Sequence, residues 1–318
     1  MAILNSSVVL PIEYSREIIR GVIGRSKALE LGRRLPDMKG KTLKLNVLSS
    51  LPVAGWVKNS ATPNDTNYEI KNKPISDMAW QGVDVVAEEI AVIVPVAINT
   101  LKDVEDFGVQ LVPELTEQVV GAFQQVIDST VFFGTGSPWT GYYGLVAGAT
   151  TAGAVVSWDG SAGLSFYNAI NDAMEYVEDS GYIPTAILGG PSLNSAFRKT
   201  ITTLGILAGD QGEIGGLPRH IDLTGGFNQA SAFAIVGDFR YLVYAFREEM
   251  DMRLLSEATL VDPTTGSTLY NLAQQDMVAF RFTMRLGVAL PNPVNRVNGT
   301  ASRYPFAIIT KQGEGSAS

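Results

Sequence analysis

Strict alternation of apolar and polar side chains predicts β-strands in two parts of the chain. From residue 41 onward, Leu43, Leu45 and Val47 share one face and polar residues the other. Residues 277–289 (MVAFRFTMRLGVA) alternate more clearly still: their large apolar side chains face one way, and two arginines and a threonine face the other. Both segments are therefore expected to lie in sheets with one face turned to the core.

A polar stretch, residues 52–73 (PVAGWVKNSATPNDTNYEIKNK), separates the first strand from a second strand-forming region, residues 78–98. The two regions and the stretch between them predict a long hairpin with a large tip. Ordering about 15 tip residues costs about 15–30 kcal/mol of backbone entropy, whereas burial of Trp56 returns at most about 4–6 kcal/mol. We therefore expect the tip either to stay mobile in a free monomer or to be ordered from outside its own hairpin, with Trp56 as an anchor near the base or as core packing there.

Apolar residues at helical spacing predict one long helix over residues 112–133, with Pro113 at its start or at a kink and GTG at its end. Residues 201–226 are rich in glycine and are expected to be irregular. The other predicted helices begin at residue 100 or cover 166–177 and 191–199, and the other predicted strands cover 185–188, 232–238, 241–247, 250–255 and 304–310.

The amino-terminal part of the chain is basic. Residues 1–40 are predicted to form an extended arm with a short helix around Tyr14 and Ile18. Residues 1–46 carry nine Lys or Arg against four acids, a balance of +5, so the remainder holds −13 of the total charge of −8. This split favours head-to-tail association with another copy or contact with a polyanion; a solvated basic helix face is an equally good explanation of the charge alone.

Residues typical of catalysis are scarce. The chain has no cysteine, His220 is its one histidine, and no nucleophile elbow, phosphate-binding loop or dinucleotide fingerprint is present. We predict no catalytic residue, cofactor or metal site. No apolar run approaches the ~20 residues of a membrane span, and the start of the chain does not resemble a secretion signal, so a soluble, unexported protein is expected. Neighbouring acids in strands point to opposite faces, which argues against paired acids at Glu88, Glu89, Glu248, Glu249 and Asp251.

The order of these parts resembles the HK97-type major capsid proteins of tailed bacteriophages. The resemblance covers nearly the whole chain: a basic arm, an extended loop, a long helix and the strands that follow. The segments that carry it are 52–64 (PVAGWVKNSATPN), 85–136 ending in FFGTG, 216–223 (GLPRHIDL), 234–255 (AIVGDFRYLVYAFREEMDMRLL) and 275–293 (QDMVAFRFTMRLGVALPNP).

The resemblance implies an α+β chain with the HK97 capsid fold: an N-terminal arm, an extended β-hairpin loop, a long spine helix, and peripheral and axial domains. The implied segments are an arm at 1–40, the extended loop and its base at 41–98, a peripheral domain with the spine helix at 99–200, an axial domain at 201–265, and return strands to the peripheral domain with a polar tail at 266–318.

By the same resemblance, the protein would assemble into pentamers and hexamers of an icosahedral shell around the double-stranded DNA genome. It would be assembled in the bacterial host cytoplasm and belong to the virion, with no enzymatic activity. The implied partners are further copies of the chain, a portal, a possible decoration protein, and packaged DNA contacted non-specifically. Because the loop begins by residue 41, a separate scaffolding protein or prior trimming is expected. The alternatives are an encapsulin-type nanocompartment shell and, more remotely, a cytosolic enzyme with an acidic site.

The predicted subunit contacts lie in the arm and the loop. The arm arginines are expected to meet an acidic neighbour rather than DNA. Some relatives join a loop lysine to an asparagine of a neighbour; Asn292, Asn295 and Asn298 are conceivable partners here, but no spacing singles out a pair. The interface candidates are Arg16, Arg20, Arg25, Trp56, Lys58, Asn59, Asp65, Tyr68, Lys71 and Lys73.

Overall fold

The computed structural model describes residues 26–55, 75–106, 111–161, 164–200, 213–299 and 303–312. Within these residues the chain forms six α-helices and fourteen strands. The helices are α1 (Lys27–Leu31), α2 (Ile98–Asp106), α3 (Leu111–Phe133), α4 (Leu145–Ala152), α5 (Leu164–Asp179) and α6 (Ser192–Lys199). The strands are β1 (Arg33–Arg34), β2 (Thr42–Ser50), β3 (Ala79–Val86), β4 (Glu88–Ala97), β5 (Val155–Trp158), β6 (Ala186–Gly189), β7 (Glu213–Ile214), β8 (Leu217–Ile221), β9 (Ala234–Gly237), β10 (Val243–Leu255), β11 (Thr259–Val261), β12 (Thr268–Asn271), β13 (Met277–Ala289) and β14 (Phe306–Lys311).

The predicted hairpin is confirmed. Strands β2 and β3 pair antiparallel, with Thr42 opposite Val86 and Leu48 opposite Trp80. The second strand-forming region divides at Ala87, whose amide donates to the carbonyl of Lys41 at 2.8 Å. Beyond this point the chain continues as β4, which leaves the hairpin and pairs with β13. One stretch of alternating sequence therefore serves two separate sheets.

A four-stranded sheet with the order β1-β10-β13-β4 carries the hairpin at one end. The predicted faces of β13 are confirmed, since Phe282, Met284 and Leu286 are at most 1% exposed. Strand β10 was predicted as two strands, but it is one strand of 13 residues. Register shifts at Glu248 interrupt its alternation without ending its pairing with β13, which explains the wrong division.

A second sheet of six strands has the order β5-β14-β9-β6-β8-β7. Strands β6 and β9 are buried at every position, so both faces of the sheet are covered. Aromatic residues fill one side, with the Phe166 ring 5.0 Å from that of Trp158 and 5.7 Å from that of Phe233. The prediction missed β5 and β8. Strand β5 has only four residues, and β8 (LPRHI) contains charged residues, so neither gives a clear periodic signal. The chain forms a strand at β8 because it pairs parallel with β6.

The sheets group the strands differently from the predicted segments. Strands β6 and β8 are neighbours, although the predicted boundary at residue 200 separates them. Strand β10, which falls within the predicted axial segment, lies in the four-stranded sheet with β13 and β4. Pairing between distant segments, rather than order along the chain, decides these groups.

The long helix α3 has 23 residues, matching the periodic pattern. It ends at Phe133 and is followed by Gly134, whose φ is +72°; a Cβ there would lie 2.1 Å from the carbonyl oxygen of Tyr143. Any other residue would therefore collide with the returning chain. The inner positions of α3, including Phe123 and Ile127, belong to the same hydrophobic core as the inner face of β13.

Candidate assembly surfaces

The ten predicted interface residues lie outside the described residues: three precede Ser26, and seven lie in the hairpin tip, residues 56–74. The short helix predicted around Tyr14 and Ile18 also lies outside them. What the structure describes is the support at each end of these segments, namely the lower part of the hairpin and the attachment of residues 26–38 to the body.

The base of the hairpin is held by a small hydrophobic cluster of its own. Val85 and Ala87 are fully buried there against Val243 and Ala245 of β10. Leu43 and Leu45, the apolar face predicted for β2, pack against the same cluster. The base is therefore part of the folded subunit, and the apolar alternation of β2 serves this contact.

The described residues of the outer half of the hairpin lie outside this cluster. Trp80 is 59% exposed, and Met78, Ile75 and Val53 are 51%, 95% and 73% exposed. Large apolar residues clustered on a projecting element are a common mark of an interaction surface. Trp80 is not among the predicted interface candidates, although it follows the polar stretch closely in the sequence.

The carboxyl-terminal segment after β13 fixes the direction of the hairpin. The amide of Val294 donates to the carbonyl of Leu48 at 3.0 Å, and the Arg296 guanidinium donates to the carbonyl of Pro52 at 3.2 Å. This segment is itself tied to the six-stranded sheet region, because Asn295 donates to the carbonyl of Ser180 at 2.7 Å. The hairpin thus leaves the body in a defined direction.

Asn292 and Asn295, two of the conceivable crosslink partners, already use their side-chain amides within the chain. The oxygen of Asn292 accepts from the Tyr182 hydroxyl at 2.5 Å, and its nitrogen donates to the carbonyl of Arg303 at 2.7 Å. The oxygen of Asn295 accepts from the backbone of Val297 and Asn298. Both amides therefore have structural roles.

The outward face of the four-stranded sheet carries a row of arginines. Arg253 and Arg281 lie directly opposite each other on β10 and β13. Arg253 pairs with Asp251 at 2.7 Å, and Arg285 with Glu248 at 3.3 Å, whereas Arg281 has no ion-pair partner within the described ranges. Like charges placed opposite each other destabilise an isolated sheet, so this face favours an anionic group from elsewhere.

Residues 26–38 strap the amino-terminal segment onto the body. Helix α1 buries Ala28 and Leu29, and β1 continues parallel to β10. Further along, the amides of Leu35 and Met38 donate to carbonyls of β10 at 2.8 and 2.7 Å. The last third of the predicted arm, residues 26–38, is therefore bound to the body of the subunit.

The start of α1 is held by a buried carboxylate of α3. Asp128, which is fully buried, accepts from the Ser26 hydroxyl at 2.6 Å and from the Ala28 amide at 3.0 Å. Burial raises the pKa of Asp128 to about 6, although the hydrogen bonds from Ser26 and Ala28 oppose this shift. Sequence periodicity gave no sign of this residue, because an aspartate in an amphipathic helix is usually solvated.

Four of the five acids considered as an enzymatic site form ion pairs, among them Asp251 with Arg253 and Glu248 with Arg285. Glu88 lies 3.3 Å from Lys41, and Glu249 lies 3.9 Å from Arg34. His220 lies 3.8 Å from Glu30, and burial lowers its pKa. Across the described ranges, no group of three or more His, Cys, Asp or Glu side chains could hold a metal ion. None of the described helices is long and apolar enough to cross a membrane.

A projecting apolar hairpin, a strapped terminal segment and structurally paired acids together define a structural building block. The sequence profile of the phage capsid family matches residues 6–295. The chain belongs to the phage capsid family, and as a phage capsid protein it is a component of the virion. No match was found among curated protein sequences.

Solved structures agree with this membership. A chain from Microbacterium phage Oxtober96 is 30% identical, with a TM-score of 0.76 over 98% of this chain and 96% of that chain. A chain from Mycobacterium phage Adephagia is 28% identical, with a TM-score of 0.77 over 91% and 90%. The capsid of an empty GTA particle shares the fold at 14% identity, with a TM-score of 0.56 over 90% and 89%. The predicted resemblance to HK97-type capsid proteins is confirmed, and the encapsulin and enzyme alternatives are not favoured.

Proposed function

We propose that many copies of this chain form the pentamers and hexamers of a closed icosahedral shell that encloses double-stranded DNA. The observation that carries the proposal is the outer half of the hairpin, where Trp80, Met78 and Ile75 project from the body with most of their surface exposed. Burying such a surface against another copy gains free energy that the isolated subunit cannot gain.

The arginine row on the four-stranded sheet is the surface that we assign to the hairpin tip of a neighbouring copy. The tip sequence offers Asp65 as an acid and Tyr68 and Trp56 as aromatic residues. Arg281 has no described ion-pair partner, and Ile93, its neighbour on β4, is 43% exposed, so this face offers both a charge and an apolar contact. Lys58, Asn59, Lys71 and Lys73 would then lie along the acidic residues of β10.

We propose that Arg16, Arg20 and Arg25, which precede the strap in the sequence, contact an acidic neighbouring subunit. DNA would be contacted only non-specifically, since tight binding to the shell would hinder packaging and release. The remaining proposed partners are a separate scaffolding protein, a portal and a decoration protein, with assembly in the cytoplasm of the bacterial host.

We also propose a revised division of the subunit. The predicted axial segment contributes β7, β8 and β9 to the six-stranded sheet, so that sheet with its helices is proposed as the axial unit. The hairpin, the strap and the four-stranded sheet would form the peripheral unit.

Cryo-electron microscopy of particles purified from infected host cells tests the proposal. The expected result is a closed shell with capsomers at five-fold and quasi-six-fold positions, nuclease-resistant DNA inside, and the hairpin of each subunit lying over its neighbour. A particle in which this chain forms an isolated surface fibre, or in which residues 75–80 remain solvated, would contradict it.

A further inference from the structure

Two buried carboxyl groups meet where the strap is attached to the body. Asp128 of α3 is fully buried, and Asp222, just after β8, is 2% exposed. Both contact the hydroxyl of Thr224: its Oγ1 lies 2.7 Å from Asp222 Oδ1 and 3.2 Å from Asp128 Oδ2. One hydroxyl therefore links the two acids.

Asp128 is the group that holds the start of the strap. Its Oδ1 accepts from the Ser26 hydroxyl and the Ala28 amide, and its Oδ2 lies 3.3 Å from the Lys27 amide. These donors form the amino terminus of α1, where a helix has unsatisfied amides. The state of Asp128 thus bears directly on the attachment of residues 26–38.

The hydrogen atoms around Thr224 can be counted, and one of them comes from the Gly226 amide, which donates to Thr224 Oγ1 at 3.2 Å. A threonine hydroxyl has one hydrogen to donate. The shorter contact assigns that hydrogen to Asp222 Oδ1, which also accepts from the Thr224 amide at 2.7 Å. The contact to Asp128 Oδ2 is then a hydrogen bond only if Asp128 carries a proton and donates it to Thr224.

Compensating charge is absent from the described surroundings. Neither Asp128 nor Asp222 has an ion-pair partner within the described ranges, and Asp222 Oδ2 is buried without a hydrogen-bond partner there. The other charged or titratable groups nearby are occupied elsewhere: the Lys27 ammonium lies 2.5 Å from Glu30, and His220 faces the same Glu30 at 3.8 Å. Two negative charges at one hydroxyl are unfavourable in such a site.

We propose that Asp128 carries a proton that it donates to Thr224, and that release of this proton loosens the attachment of residues 26–38 to the body. Protonation of Asp128 would then control the equilibrium between the docked and the released strap, and so the attachment of the amino-terminal segment. This role goes beyond shell formation and depends only on the fold of one subunit.

The sign of the pH effect follows from proton binding. Burial, with a contribution from the charge of Asp222, raises the pKa of Asp128 to about 6, from an ordinary value of 3.8. Between these values the docked strap binds more protons than the released strap. The stabilisation is therefore fully present below about pH 4 and is lost as the pH rises through about 6.

Hydrogen exchange of peptides from residues 26–38 in the full-length protein tests the proposal. Labelling times at about pH 5 and pH 7.5 are scaled for intrinsic exchange. If Asp128 has its ordinary pKa when the strap is open, the equilibrium constant for opening rises about 10-fold from pH 5 to pH 7.5. In Asp128→Asn, whose amide accepts from Ser26 and Ala28 and donates to Thr224, the rise should vanish, with protection at pH 7.5 at least equal to wild type.

His220→Gln is the control for the other nearby titrating group. Because burial lowers the pKa of His220, its contribution to stability rises with pH, opposite to that of Asp128, so this variant should show a rise in opening at least as large as that of the wild type. Thr224→Val should raise the exchange of residues 26–38 at about pH 5. Thr224→Ser, which keeps the hydroxyl, should show the protection of the wild type.

Three results would overturn the proposal: equal opening of the wild type at both pH values, a pH dependence that survives Asp128→Asn, or equal exchange of Thr224→Val and Thr224→Ser at pH 5. The threonine pair keeps the test valid should Asp128→Asn fail to fold.

Discussion

Two tryptophans in this chain occupy opposite environments. Trp158 is 5% exposed, contacts the rings of Phe166 and Phe233, and donates its indole hydrogen to the carbonyl of Ser161 at 2.9 Å. Trp80 is 59% exposed on the outer hairpin. The same residue type therefore stabilises the subunit in one place and is available for assembly in the other.

Trp80→Ala should weaken particles more than subunits. The exposed part of its side chain can contribute about 2–4 kcal/mol per subunit when buried in a contact, whereas surface substitutions usually change subunit stability by less than about 0.5 kcal/mol. Denaturant dissociation of particles and thermal melting of dissociated subunits separate the two quantities.

Trp158→Ala is the matched control and should lower the unfolding free energy of the subunit by about 3–5 kcal/mol. A Trp80→Ala variant with unchanged particles and an unstable subunit would show that Trp80 belongs to the core instead.

Asn292 and Asn295 are expected to remain uncrosslinked, because both side-chain amides are hydrogen-bonded within the subunit. On a denaturing gel, mature particles should therefore show no covalent multimers joined through Asn292 or Asn295. A ladder of covalent multimers containing either asparagine would refute this prediction.

At the scale of elements, the hairpin separates into a folded base and an exposed outer half. The base is held by Val85, Ala87 and the Val294 hydrogen bond to Leu48, none of which involves the tip. The hairpin strands could be predicted from the alternation of apolar and polar residues, because the apolar face of β2 packs against the cluster at the base.

Deletion of residues 58–72 should leave a folded subunit that does not form stable shells. Circular dichroism and melting should match the wild type, because the base contacts are unchanged, while size-exclusion chromatography should show no megadalton particles. A variant with the same residues replaced by an equally long Gly/Ser segment separates the effect of sequence from that of length. Particles of wild-type appearance from the deletion would count against the assembly role of the tip.

Element boundaries were predicted least well where tertiary pairing overrides local pattern. Strand β10 continues through Glu248 because β13 pairs with it on both sides of the irregularity. Strand β8 has little apolar character and forms at the side of β6. Local periodicity could not show either, since both depend on partners distant in sequence.

At the scale of the whole molecule, some basic residues of the amino-terminal part are already paired with acids of the same subunit. Arg34 lies close to Asp37 and Glu249, and Lys41 close to Glu88. These pairs are exposed and contribute little to stability. The arginines before Ser26 are left to act between subunits in our proposal.

Association of subunits should therefore weaken as salt rises. Raising ionic strength from about 0.15 M to about 1 M shortens the screening length from about 8 to about 3 Å. Light scattering during assembly should show slower and less complete particle formation at the higher salt. Assembly that is unchanged, or faster, would indicate that apolar burial at the hairpin dominates and that the arm charges do not contribute.

The sequence by itself determined the long helix, the hairpin strands, the faces of β13, the scarcity of catalytic residues and, through the order of these parts, the resemblance to a capsid protein. These features depend on local periodicity or on residue content. Only the tertiary structure decided which strands share a sheet, where the outer hairpin loses its core, and how Asp128 and Asp222 meet at Thr224. Those outcomes depend on contacts between residues distant in sequence, about 100 positions apart where Asp128 meets Ser26 and Thr224, and a single sequence carries no local signal for such pairing.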